Sequence, residues 1–189
     1  DGEGRTVELQ VDFAFDGVIE DITRYEYGDS DLVTARRYDD GADGSYDVVE
    51  RWEYDDLGRV TLQSRDLGDD GRDTWTTTTY DADCDRPVTI VEASASSSAR
   101  RTDYTYDAQG RPETVVEDDY ADTVPDRLHA WTWTDSTEVV TYTNLEDGVA
   151  YLRIEHDLDA EGRVIAERYD QDADGVVESS WTLDLVCDV

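Results

Sequence analysis

Apolar and polar positions alternate along much of the chain. Val7, Leu9, Val11 and Phe13 are each separated by one residue, and Tyr46, Val48, Glu50, Trp52 and Tyr54 keep the same spacing. A period of two is that of a half-buried β-strand. No comparable run has helical spacing, so the pattern predicts an all-β chain. Five Trp and twelve Tyr argue against disorder, because disordered chains are poor in such residues.

The alternating segments recur with a period near 27 residues. Gly-Arg appears at Gly4, Gly58, Gly110 and Gly162, and Asp-Gly at Asp16, Asp43, Asp70, Asp147 and Asp174. One ruler fits both and gives seven units across residues 1–189, anchored at Gly4, Asp31, Gly58, Asp85, Gly110, Asp135 and Gly162. Units two, four and six lack the first glycine. Unit four also replaces Asp-Gly by Ser97-Ser98. Each unit contains a short turn, a strand, an acidic loop and a longer aromatic strand, which is the order of a β-hairpin. Short connections predict antiparallel pairing of sequence neighbours. The expected fold is a repeat protein, a curved antiparallel strip of about seven β-hairpins. The alternative is a parallel β-solenoid with 27-residue coils.

Aromatics hold fixed places in the unit. Four residues before the anchors stand Tyr27, Tyr54, Tyr106, Trp131 and Leu158. Two residues earlier stand Tyr25, Trp52, Tyr104, His129 and His156. These share a strand face. A glycan or protein platform would suit them, as would a face that closes on itself, and the need for one buried face favours the second.

Charge narrows the partners. Sixteen arginines, no lysine and 49 acids give a net charge of -33. Such a field excludes nucleic acid and anionic membrane as partners. No stretch approaches the roughly 18 apolar residues of a membrane span. The absence of an initiator Met and of a signal peptide suggests a mature or excised segment.

The acids also have a pattern. Asp170, Asp172, Asp174 and Glu178 surround Gly175, with the Val176 carbonyl between them, and alternate acids on a tight loop can converge on a hard cation. The first, fifth and ninth positions recur as Asp12, Asp16 and Glu20, as Asp39, Asp43 and Asp47, and as Asp118, Asp122 and Asp126. Asp66 and Asp70 match in unit three, where the ninth place is Thr74 with Asp73 beside it. Calcium is the expected ion, because magnesium prefers few protein ligands and a rigid octahedron. A turn alone calls for Asp and Gly but gives no reason for an acid at the ninth place. The Asp170 loop resembles the DxDxDG calcium loops of EF-hands and of integrin-type propeller hairpins.

Tyr54-Asp55-Asp56-Leu57-Gly58-Arg59 and Tyr106-Asp107-Ala108-Gln109-Gly110-Arg111 have the form Tyr-Asp-x-x-Gly-Arg, and Leu158 to Arg163 keeps all but the Tyr. The form resembles the YD repeat of the Rhs family, which includes bacterial Rhs and toxin-complex proteins and the teneurins. That resemblance implies strips of antiparallel hairpins that spiral into shells, enclosing toxins or serving in surface adhesion.

No nucleophile elbow, P-loop or dinucleotide fingerprint appears, so the chain is not expected to be an enzyme. An acid-dyad hydrolase is the least favoured function. Pairing Cys84 with Cys187 would need the strip to curl or the tail to fold back. The first strand, Thr6 to Phe13, and the last, around Trp181 to Val186, are apolar edges without polar caps. These features predict an extracellular or cell-surface structural module held by calcium. It would extend head-to-tail with another copy of itself or with further repeats. The competing expectation is a monomeric adhesin that binds a cell-surface protein or glycan.

Overall fold

A computed structural model describes residues 1–82 and 84–182. Fourteen strands alternate with short turns: β1 (Glu8–Val11), β2 (Asp21–Tyr27), β3 (Val33–Asp40), β4 (Val48–Tyr54), β5 (Val60–Leu67), β6 (Thr74–Tyr80), β7 (Pro87–Ser94), β8 (Ser97–Tyr106), β9 (Pro112–Asp118), β10 (Arg127–Trp133), β11 (Thr137–Asn144), β12 (Val149–Leu158), β13 (Val164–Asp170) and β14 (Ser179–Thr182). Their order in the sheet is their order in the chain. Sequence neighbours pair antiparallel, for example β4 with β5 and β12 with β13. The parallel solenoid is thereby excluded, because its coils would pair strands one repeat apart. Among the described residues, no helix is long and apolar enough to cross a membrane.

The chain divides into two compact units, Asp1–Ala99 and Arg100–Val189. The division falls inside β8, just after the Ser-rich turn that replaces an acidic loop. There the Ser94 and Ser97 hydroxyls bond to each other at 2.7 Å. Cys187 lies outside the described residues, as does most of the apolar segment anticipated up to Val186. Cys84 is a half-buried free thiol, 2.9 Å from the Arg86 Nε.

The core of each unit is thin. In the first, Ala35 and Val49 are the buried hydrophobic side chains among the described residues; in the second they are Val115, Val140 and Ala166. Hydrogen bonds at the strand ends therefore carry much of the specification. The Gly-Arg turns show how. Asp55 Oδ1 accepts the Leu57 and Arg59 N–H groups, and its Oδ2 accepts Arg59 Nε at 2.7 Å. Gly58 has φ +79, a conformation that suits glycine. The same turn recurs around Asp107 and Asp159.

The aromatics that end β2, β4, β6 and β10 are then locked. Register shifts precede Tyr27, Tyr54 and Tyr80 in the first unit, and Tyr106 and Leu158 in the second. A bulge re-aims the side chain that follows it. Tyr27, Tyr54 and Tyr80 donate their hydroxyls to the carbonyls of Thr6, Val33 and Val60, and Trp133 Nε1 donates to that of Pro112. The Arg5, Arg59 and Arg111 guanidinia stack over Tyr27, Tyr80 and Trp133 at 4.6, 4.7 and 5.1 Å.

Unit six departs from the anticipated alignment. Thr134 closes directly onto Thr137, so this turn is short and Trp133, not Trp131, takes the place of Tyr54. Trp131 pairs with Val140 as Tyr104 pairs with Val115. The two histidines are consequently not equivalent.

Candidate metal centres in the acidic hairpin loops

Five loops share one construction. The first acid stands at or beside the end of its strand and turns its carboxylate back over the loop. Asp39 accepts the N–H groups of Asp43 and Gly44, both at 3.0 Å. Asp12, Asp66, Asp118 and Asp170 do the same to the residues four and five further on. Asp39, Asp66, Asp118 and Asp170 are buried, at 0%, 2%, 5% and 1% exposure. A buried carboxylate is costly unless it is hydrogen-bonded, and two backbone donors meet that need.

The fifth acid braces the next turn. Asp16, Asp43, Asp122 and Asp174 each accept the N–H two residues on, at 2.8–2.9 Å. The last of these donors is Val176, which is exposed.

The ninth acid reaches back across the loop. Glu20, Asp47, Asp126 and Glu178 accept the N–H groups of Phe13, Asp40, Asp119 and Gln171 at 2.6–2.8 Å. In unit three Asp73 performs this task on Leu67 at 2.6 Å, and Thr74 simply begins β6. The recurrence of an acid here thus has a role in the turn itself, which sequence reasoning did not supply. The backbone explains why the position varies by one residue: any carboxylate that reaches the same N–H will serve.

Local backbone geometry is equally uniform. The fourth loop residue has positive φ in all five: Phe15, Ala42, Asp69, Ala121 and Ala173, at 48–58°. The sixth is Gly17, Gly44, Gly71 and Gly175, with Thr123 in the remaining loop at φ 78. Neighbouring loops are tied together: Gly41 donates to the Glu20 carbonyl, Gly68 to that of Asp47, and Leu145 to that of Asp126.

What distinguishes the loops is convergence. Asp170, Asp172, Asp174 and Glu178 each offer a ligand oxygen, and these lie within 4.8 Å of one another. Asp12, Asp16 and Glu20 form a second such group. The acids of the Asp39, Asp66 and Asp118 loops form none among the described residues. In the Asp66 loop Arg51 intervenes, reaching Asp66 at 3.4 Å and Asp69 at 2.7 Å. The donor set at Asp170 is all oxygen and all carboxylate, the chemistry of a hard divalent cation.

The histidines serve other ends. His129 packs against Tyr142 with ring centroids 4.5 Å apart, and burial pushes its pKa down. His156 stands between Glu138, 3.1 Å from Nδ1, and Glu167, 2.7 Å from Nε2. Glu167 also accepts the Trp181 indole N–H. The cross-strand contacts of His156 were not legible from its 27-residue spacing, because they depend on which residues stand opposite it.

The fold defines an antiparallel β-hairpin repeat protein. No family model matches the chain, and no curated protein matches it. Among solved structures it is similar to a porin-like protein from Bacteroides uniformis, at 11% identity over 86% of each chain with a TM-score of 0.37. It is also similar to a protein of unknown function from Bacteroides fragilis, at 10% identity over 86% of this chain and 91% of that one, with a TM-score of 0.27. Likeness this slight bears on neither family nor function.

Proposed function

We propose that the chain is a calcium-stabilised structural module of an extracellular or surface protein, built from YD-type hairpins and continued by further repeats or by copies of itself. The convergence of Asp170, Asp172, Asp174 and Glu178 supports this most directly. Four carboxylates whose oxygens lie within one ion's reach repel each other, and a divalent cation relieves that repulsion. The Asp12 loop is the second candidate, with one carboxylate fewer. The remaining loops are turns closed by their own acids. External calcium, at millimolar levels, suits such weak surface sites. Melting curves in calcium and in chelator test the proposal. A higher melting temperature in calcium is expected, and Asp172→Asn should shrink the difference. Identical curves would reject it.

The structure offers less support for an aromatic-stripe adhesin. Tyr27, Tyr54, Tyr80 and Trp133 spend their polar atoms on backbone carbonyls, and three of those rings are capped by arginine.

A further inference from the structure

One face of strands β2 to β5, wholly within the first unit, carries a groove of about 360 Å³. Two adjacent cross-strand rows build it. Tyr25 stands opposite Arg36, Arg36 opposite Glu50, and Glu50 opposite Arg65. The neighbouring row runs from Thr23 through Tyr38 to Val48. Tyr38 is fixed in place, since its hydroxyl donates to the buried Asp21 at 2.9 Å.

The charge arrangement is unusual for this chain. Two arginines, Arg36 and Arg65, flank Glu50 across the strands. Arg36 is in ion-pair contact with the buried Glu50 Oε2, which leaves Arg36 committed within the row. Arg65 is exposed and, among the described residues, makes no ion pair and no side-chain hydrogen bond, in a chain with 49 acids for 16 arginines. The nearby Arg51, by contrast, is tied to Asp66 and Asp69. The row thus carries two guanidinia for one carboxylate and has one fork of donors to spare, while Asp21 lies at the Tyr38 hydroxyl on the neighbouring row.

We propose that this groove binds a polyhydroxylated carboxylate of sugar-acid size. Arginine's planar fork matches a carboxylate with two parallel hydrogen bonds. Thr23 and the Tyr25 hydroxyl supply further polar partners, and Val48 with the Tyr38 ring supplies an apolar floor. The volume lies at the small end of known ligand pockets and fits one ring. The surrounding negative field weakens attraction for any anion, so the hydroxyl contacts are needed as well as the charge. The groove is separate from the acidic loops, and the inference stands whether or not they hold calcium.

The experiment is a titration of the whole chain with glucuronate, followed by backbone amide NMR shifts in calcium-containing buffer. Glucose and acetate serve as controls that each carry half of the recognised chemistry. Saturable shifts confined to the β2–β5 face are expected, with Arg65→Gln weakening binding by about tenfold or more. Arg72→Gln, which removes an exposed arginine 3.9 Å from Glu53, should leave binding unchanged. An unaltered melting curve for Arg65→Gln would show that the fold is intact. Oligogalacturonate against free galacturonate tells a polymer residue from a small molecule, and tighter binding of either supports the site. Absence of saturable shifts, equal binding of glucose or acetate, or wild-type affinity in Arg65→Gln would overturn it. Shifts confined to the amides of residues 170–178 would also overturn it, as they would place the ligand on the loop.

Discussion

Asp47 accepts the backbone N–H of Asp40 at 2.6 Å across the mouth of the second acidic loop. Two residues seven apart are thereby joined where the strands separate, and the Asp47 carbonyl then receives Gly68 from the next loop. Removing this carboxylate hands the exposed Asp40 N–H at the end of β3 back to water. Asp47→Ala is expected to cost about 1 kcal/mol, with Asp47→Asn milder because the amide oxygen still accepts. Urea denaturation of the two variants checks the order. Equal stability of Asp47→Ala and wild type would show that the bond contributes nothing.

Thr123 holds φ 78 where the other four loops place glycine. A β-branched residue is strained there. Its N–H, which donates to Asp118 at 2.9 Å, would survive in glycine. Thr123→Gly should therefore stabilise the protein by about 1 kcal/mol, as relief of strain outweighs the greater freedom of the unfolded chain. Gly175→Ala, at φ +95 in open space, should destabilise by a similar amount through backbone strain alone. Calorimetric melting of both variants tests the pair. Thr123→Gly melting below wild type would show that the backbone at this position carries no strain.

Tyr54 separates two contributions that sequence patterning merges. Its ring packs, and its hydroxyl donates to the Val33 carbonyl at 2.7 Å. Tyr54→Phe removes only the second and is expected to cost about 1 kcal/mol. Arg59→Lys should cost more. It loses the Nε bond to Asp55, the paired bonds from one guanidinium nitrogen to the Asp81 and Cys84 carbonyls, and the stacking on Tyr80. Chemical denaturation of the two variants settles the ranking.

Acid should unfold the protein through specific carboxylates. The backbone N–H and the guanidinium of Arg163 hold the Asp159 pKa below its ordinary value, against burial. Hydrogen bonds from Tyr169, Trp181 and His156 do the same for Glu167, again against burial. A depressed folded pKa means that the unfolded chain binds more protons. The stabilisation is therefore complete above the ordinary carboxylate value and is lost as pH falls through the lowered one. Asp40 runs the other way, because the facing charge of Asp21 raises its pKa, with burial adding to the effect. Asp40→Asn should thus stabilise at neutral pH, and Asp159→Asn should flatten the acid limb of the stability profile. Denaturation measured across the acid range reads both.

Much of the fold was legible because hairpin repeats announce themselves twice, by alternation and by turn glycines. Gly58 and Arg59 mark one end of a unit, and Asp43 and Gly44 the other. The alignment slipped at Trp131 because a turn without glycine, Thr134 to Thr137, closes in fewer residues and nothing in its composition says so. The spacing of the loop acids marks a recurrent role but not which one, because a carboxylate that accepts a backbone N–H and one that ligates an ion leave the same spacing in a sequence. Only convergence in space separates Asp170 and Asp12 from Asp39, Asp66 and Asp118. The Arg36–Glu50–Arg65 row was invisible for a related reason, since cross-strand neighbours lie about 15 residues apart in the chain.

The most direct test of the central claim is a calcium titration of the intact chain, followed residue by residue through backbone amide shifts. Saturable movement of the amides of residues 171–178 is expected, with weaker movement of residues 13–20 and little at the loops of Asp39, Asp66 and Asp118. Asp172→Asn should weaken the first response and spare the second. Loop amides that stay still as calcium rises through the millimolar range would contradict it.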